Sequence, residues 1–335
     1  MYRKIFFLLF ISSLFITCSD EPYDITDAVT EEQTTDETDP DVDADTDTDT
    51  DTDTDEDGTD DQDGVFTFTD EDGKEYPLGG DCDNGSPDYI PGMNILPDLV
   101  ILDMLPESFD NSEFLPTIGN QKSQPSCVSW AVTYHLKSLQ ENLERDATTM
   151  ERFTMSPAFT YNKMTQGMCT GTSISATLDI LQEEGAATLA DFPWDEADCG
   201  TQPDDAAQLA AEPYKIKEYF SLSGENMVAE MKTLLTQNTP VVISAALSPE
   251  FGKTDSFGKT GYRPHLPDYD KSGCHAMLVV GYDDALNAFK TVNSWGSDWG
   301  SGGFVYIDYA AFENVADTTA DFRVINSAYV AYDLE

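Results

Sequence analysis

The chain has little positive charge. Of its 335 residues 17 are Lys or Arg and 64 are Asp or Glu, a formal net charge of −47. Phosphate recognition needs clustered cations, so this balance argues against a nucleic-acid partner. Histidine is scarcer still, with only His135, His265 and His275. No HExxH or paired CxxC motif occurs, and three scattered imidazoles offer no ligand spacing, so neither a metal nor another cofactor is expected. Long apolar runs are confined to the first 18 residues, MYRKIFFLLFISSLFITC, and that run is too short for a comfortable membrane span. No internal repeat is present.

A basic tip, an apolar run and then Cys18 have the layout of an export signal over residues 1–18. Its ending resembles a bacterial lipoprotein signal, with Cys18 becoming the lipidated first residue, although Phe15, Ile16 and Thr17 are bulkier than the usual small residues. Ser19, Asp20 and Glu21 resemble the short acidic signal that sends some lipoproteins to the outer surface. The expectation is an extracytoplasmic protein, lipid-anchored to the outer membrane and surface-exposed, with a secreted form as the alternative. Disulfides are permitted there.

Residues 19–64 contain an Asp/Thr-rich low-complexity stretch. The 44 residues from 20 to 63 hold 22 Asp or Glu and no Lys or Arg, so the acidity is concentrated there. Such a segment cannot bury enough apolar surface to offset ordering entropy and reads as a disordered tether. Asp53, Asp55, Asp57 and Gly58 imitate the start of a calcium loop, but the twelfth position is Gly64 where a bidentate Glu is required, so a solvated spacer is the better reading. Without this stretch and the leader's Arg3 and Lys4, 42 acidic residues still face 15 basic ones.

From Val65 the pattern becomes that of a folded chain. VFTFT alternates like a strand and leads into a glycine-rich region around 79–85. Ser126 is placed to cap a helix from Cys127 to about Glu144, with Val128, Ala131, Val132, His135, Leu139 and Leu143 as its apolar stripe. Ser156-Pro157 opens a second helix. A third runs from Ser173 to Glu184 and is stopped by Gly185. A fourth covers 225–237. The period then changes to β in PVVISAAL (240–247), HAMLVVGY (275–282), AFKTVN (288–293), GFVYIDY (303–309) and RVINSAYVAY (323–332). Helices first and strands later make an α+β fold with two lobes of different texture.

Among the histidines, His135 lies on the helical stripe and reads as core, and His265 in GYRPHLPDYD reads as surface. His275 opens the most apolar strand, with its ring at a rim. Asn293 lies 18 residues on, a spacing that suits a hairpin setting the two side by side. An asparagine carbonyl can then hold one imidazole nitrogen and leave the other to face a thiol. Trp295 is placed to shield that hydrogen bond. The thiol is Cys127 in QKSQPSCVSWAV, at a helix start six residues past Gln121.

The order Cys, His, Asn, with QxxxxxC, HAxxxVGY and NSWGxxWGxxGF, resembles the papain-like cysteine peptidases. LPESFD (105–110), SPAFTYN (156–162) and CTGT (169–172) fall where that family has matching segments, so the resemblance covers about 105–330 of a domain set at 105–335. It implies a two-lobed papain-like fold, with a helical N-terminal lobe carrying the cysteine helix and an antiparallel sheet or barrel as the C-terminal lobe. It also implies Cys127 as nucleophile, His275 as its ion-pair partner and acid, Asn293 as the residue orienting His275, and Gln121 with the Cys127 N–H as the oxyanion hole. The expected partners are protein or peptide substrates, and the expected state is a monomer. A helix N-terminus and an imidazolium would both favour thiolate, pulling the Cys127 pKa down to about 3–4 as in such pairs.

Two departures stand out. Val128 and Ser129 separate the cysteine from Trp130, where the family has Trp at once. Gln124 stands where the family has a cysteine bonded to the Cys169 position. With Cys18 and Cys127 assigned, four cysteines allow three pairings. Cys169 with Cys199, stapling the helical lobe, is favoured. Cys82 with Cys274 then follows, with two free thiols left open. Residues 65–104 are too short for the long helical prosegment of many relatives, and the expectation is that they pack near the cleft and regulate it. Competing readings are a catalytically silent papain-like binding or adhesion protein, and a Cys-His acyltransferase or amidase. The first should lack a site residue, and the second should lack NSWG.

Overall fold

The computed structural model describes residues 66–70, 72–80, 95–97, 99–145, 153–222, 226–247, 251–253, 261–262, 274–312 and 324–334. The leader with Cys18, the acidic tether with its calcium-like Asp53–Gly58 stretch, Cys82 and His265 lie outside the described residues.

β1 (Phe66–Thr69) and β2 (Glu75–Leu78) form an antiparallel hairpin, Phe66 opposite Leu78. Its turn is held by Asp70, whose carboxylate accepts the N–H groups of Asp72 and Lys74. The short β3 (Ser108–Asp110) follows. The cysteine helix starts as α1 (Cys127–Ser129), continues as a π-helical stretch (Trp130–Lys137) and ends as α2 (Ser138–Glu144). Beside it pack α3 (Pro157–Thr165), α4 (Ile174–Glu183) and α5 (Asp205–Ala211).

The second half supplies β4 (Ile216–Ser221), α6 (Met227–Thr236), β5 (Val241–Ala246), β6 (Gly261–Tyr262), β7 (Cys274–Asp283), β8 (Ala288–Val292), β9 (Phe304–Asp308) and β10 (Ile325–Asp333). The strands form one sheet in the order β4-β10-β5-β7-β8-β9-β6, with β3 also on β7. Every pair is antiparallel except β6 with β9.

Side-chain alternation divides this sheet between two cores. Val242, Ala276, Leu278 and Val280 face the helices, packing with Val128, Val132, Leu136 and Leu178. Val241, Ile243, Met277 and Val279 face the other way, toward α6, Trp295 and the β1–β2 hairpin. The fold is therefore the expected α+β one, a helical lobe against a sheet lobe.

Several local expectations hold. Pro157 stands in the first turn of α3. Ser173 Oγ accepts the Ala176 N–H at 3.2 Å and caps α4, and Gly185, at φ +85°, ends it. Others need correction. Ser126 is the N-cap of α1 by position only, because its side chain makes no capping bond. Nor is the cysteine helix one-sided: all of Trp130–Lys137 is buried, including Thr133 and Lys137. The helix runs between its lobe and the sheet, so a single apolar stripe underestimates it. β2, β3, β4 and α5 were not foreseen, being short or weakly patterned.

Candidate active site

β7 and β8 bring His275 and Asn293 together as the hairpin spacing predicts. Asn293 Oδ1 sits 2.7 Å from His275 Nε2 and also accepts the Ser294 N–H at 2.7 Å. An amide oxygen can only accept, so Nε2 carries the hydrogen and a neutral ring leaves Nδ1 as a bare acceptor. His275 Nδ1 has no hydrogen-bond partner among the described residues. The Trp295 ring lies 4.7 Å from the imidazole, centroid to centroid, and covers it.

Cys127 reaches the same place from the helical lobe. It opens α1, which packs against β7, the strand that carries His275. Thiol and imidazole are both fully buried. A neutral imidazole so held can take a proton from a thiol.

Gln121 completes the group. Its loop docks on the Asn293–Trp295 segment through Gln121 N–H donating to the Ser294 carbonyl at 2.8 Å. The side chain is oriented at both ends: Oε1 accepts from Ser294 Oγ at 2.6 Å, and Nε2 donates to the Pro77 and Gln124 carbonyls at 3.1 and 3.0 Å. Ser294 went unnoticed in the sequence reading, although it lies inside the motif that carries Asn293 and Trp295.

The electrostatics differ from expectation. Burial pushes the Cys127 thiol up to about 11, against the backbone N–H groups that favour thiolate. Burial takes His275 down to about 4, with the Asn293 bond opposing it. Burial thus favours the neutral thiol and the neutral imidazole. The expected thiolate would need water or developing charge that the buried pair does not have. His135, by contrast, is the core histidine foreseen: buried, and lowered to about 3 by that burial.

The cysteines resolve in part. Cys169 and Cys199 form a disulfide, and Cys127 is a free thiol. Cys274 is disulfide-bonded, which removes the reading that leaves it free. Its expected partner, Cys82, lies outside the described residues. Gln124, in the place of the family's cysteine, does the tying by hydrogen bonds: Nε2 donates to the Asp198 carbonyl at 3.1 Å, and Oε1 accepts from Trp194 Nε1 at 2.8 Å. Among the described residues no group of three His, Cys, Asp or Glu is placed to hold a metal ion.

A buried thiol, an imidazole oriented by an asparagine, and an amide donor, set between a helical lobe and an antiparallel sheet, define the class of thiol-dependent papain-like folds. The profile described as papain family cysteine protease matches residues 105–320. The chain belongs to that family. A solved cysteine protease, xylellain from Xylella fastidiosa, shares the fold with a TM-score of 0.59 at 20% identity, over 73% of this chain and 97% of that one. A digestive procathepsin L 3 from Tenebrio molitor larval midgut gives 0.55 at 18%, over 72% and 75%. Among curated relatives, the gamete and mating-type specific protein A of Dictyostelium discoideum is 29% identical over 148 residues, 44% of this chain and 30% of that protein. A cysteine proteinase of Theileria parva is 26% identical over 145 residues, 42% of this chain and 29% of its own length. The chain thus spans less than a third of the length of these curated relatives.

Proposed function

We propose that the chain is a cysteine peptidase working through Cys127, His275 and Asn293. The observation that carries this is the His275 ring, fixed through Nε2 by Asn293 with Nδ1 left without a hydrogen-bond partner among the described residues, on the strand against which the Cys127 helix packs. Nδ1 takes the Cys127 proton as Sγ attacks a peptide carbonyl carbon. Gln121 Nε2 and the Cys127 N–H hold the oxyanion. His275 returns the proton to the leaving amine, which leaves a thioester on Sγ. Water, giving a proton to His275, then cleaves the thioester and regenerates the thiol. Trp295 keeps water from competing for the His275–Asn293 bond.

The test is hydrolysis of a mixed fluorogenic peptide set, together with an epoxide inhibitor whose adduct is located by mass spectrometry. Hydrolysis should vanish in Cys127→Ala, and the adduct should form at Cys127 and disappear in His275→Ala. Hydrolysis that survives Cys127→Ala defeats the reading.

The same reading places the enzyme outside the cytoplasm on a lipidated Cys18, with the acidic stretch holding the domain off the membrane. Its support is the leader's layout and composition alone. Cys18→Ala should move the protein from the membrane to the soluble fraction; an unchanged distribution rules the anchor out.

A further inference from the structure

Resting on the peptidase reading, we propose that Gln124 is a positioning residue for the oxyanion hole, holding the Gln121 amide in place through its own main-chain carbonyl. Gln124 stands where the family has a cysteine, so the role belongs to this chain and not to the family's pattern.

The two glutamines are joined directly. Gln121 Nε2 donates to the Gln124 carbonyl at 3.0 Å, and the Gln124 N–H donates back to the Gln121 carbonyl at 3.2 Å, so 121–124 close as one turn. An amide nitrogen has two hydrogens, and an amide oxygen only accepts. Ser294 Oγ holds Oε1 and the Gln124 carbonyl takes one hydrogen, which fixes the amide plane from both ends. The second hydrogen, here on the Pro77 carbonyl at 3.1 Å, is the one an oxyanion would take. If the Gln124 carbonyl moves, that plane turns with it.

The Gln124 side chain decides where its carbonyl stands. It is 2% exposed, and both polar ends are engaged on the 194–198 loop. Nε2 donates to the Asp198 carbonyl at 3.1 Å, with the Asp195 and Glu196 carbonyls at 3.4 Å, and Oε1 accepts from Trp194 Nε1 at 2.8 Å. The loop thus offers carbonyls to one end and an indole N–H to the other, a pattern that a primary amide satisfies and neither a carboxylate nor an ammonium does. The anchor is itself stiff. The Asp198 carboxylate accepts the Gly200 and Thr201 N–H groups, both at 2.9 Å, and Cys199 beside it is bonded to Cys169. Lys122 adds an outer tie, 3.2 Å from Glu196, but both side chains are exposed and such pairs contribute little. The buried amide therefore does the positioning.

Gln124→Met keeps the volume and removes both hydrogen-bonding ends. Trp194→Phe removes only the indole N–H and is the gentler second variant. Each is made in the full-length wild-type chain and in Gln121→Ala, and kcat and KM are read on the fluorogenic peptide set. Cys127 alkylation by iodoacetamide, a displacement that builds no oxyanion, is the control. Gln124→Met should lower kcat about tenfold, with KM and alkylation within about twofold of wild type. In the Gln121→Ala background the same change should lower kcat no more than about twofold, because the group it acts through is already gone. Equal losses in both backgrounds overturn the proposal, as does an unchanged kcat or a matching fall in alkylation. If Gln124→Met does not fold, Trp194→Phe decides by the same comparison, with a loss of about fivefold expected only where Gln121 is present. A wild-type chain that is alkylated at Cys127 but cuts no peptide sinks the peptidase reading, and this inference falls with it. Additive losses in an active enzyme sink this inference alone.

Discussion

Ser294 shows how much a single side chain can set at this site. Its hydroxyl holds Gln121 Oε1, which leaves Nε2 as the end that faces the groove. Removing one oxyanion donor generally costs about 10²–10³ in kcat, and Gln121→Ala should fall in that range. Ser294→Ala only frees the amide to turn, so it should lower kcat by about tenfold, less than loss of the donor itself, with KM little changed. Steady-state kinetics on the two variants check this, and equal losses would mean that Ser294 does more than orient. The buried imidazoles carry a pH consequence. His275 and His135 are lowered by burial to about 4 and about 3. Between those values and the ordinary histidine value near 6.5 the unfolded chain binds more protons, so stability is full above that pH and is lost as pH falls through the window. Each imidazole contributes a slope of up to about 1.4 kcal/mol per pH unit. Urea midpoints between pH 7 and 4.5 should fall, and His135→Leu should flatten the fall.

At the scale of elements, the cysteine helix is anchored at its far end by charge. Lys137 is fully buried, pairing with Glu141 at 2.8 Å one turn on and with Asp333 at the end of β10. This pins the helix to the sheet, and with it the depth at which Cys127 meets His275. Lys137→Met fills the space but leaves Asp333 without its cation and Glu141 with only Arg145, at 3.5 Å. Breaking such a buried pair typically costs about 3–5 kcal/mol. Chemical denaturation should show a loss of that size, and a loss under about 1 kcal/mol would mean that water already screens the group. From the sequence this helix was legible in place and length, because a polar start and an apolar periodicity are local. Its all-round burial was not, since that depends on β5, β7 and β10, which lie more than 90 residues away in the chain.

For the whole molecule, the helical lobe has one covalent staple among the described residues. Cys169–Cys199 closes a separation of 30 residues, for which loop-closure entropy gives about 3–4 kcal/mol. A Cys169→Ser/Cys199→Ser double variant should lose stability by that order. Its loss should leave Gln124 holding the 194–198 loop, so Cys127 alkylation should stay within a few-fold of wild type. A large rise would show that the staple also keeps the groove closed. The lobes themselves meet through the sheet's alternation, Ala276, Leu278 and Val280 of β7 toward the helices and Met277 and Val279 toward Trp295. That division sends His275 to the Trp295 side of the sheet, its ring 4.7 Å from the indole, centroid to centroid.

The amino-acid order by itself determined the α+β division, the cysteine helix, the β7–β8 hairpin and the meeting of His275 with Asn293 beside Trp295. Each is written in a local period or in a short motif whose chemistry demands those residue types. Only the tertiary structure decided that residues 75–80 bridge the two lobes, that burial raises the Cys127 pKa and lowers that of His275, that Gln124 replaces a covalent tie, and that Cys274 is bonded. The bridging rests on backbone groups meeting across long stretches of chain, Gly79 with Thr172 and Gly80 with Cys274. Peptide N–H and C=O groups are the same at every position, so no residue pattern announces which of them will pair.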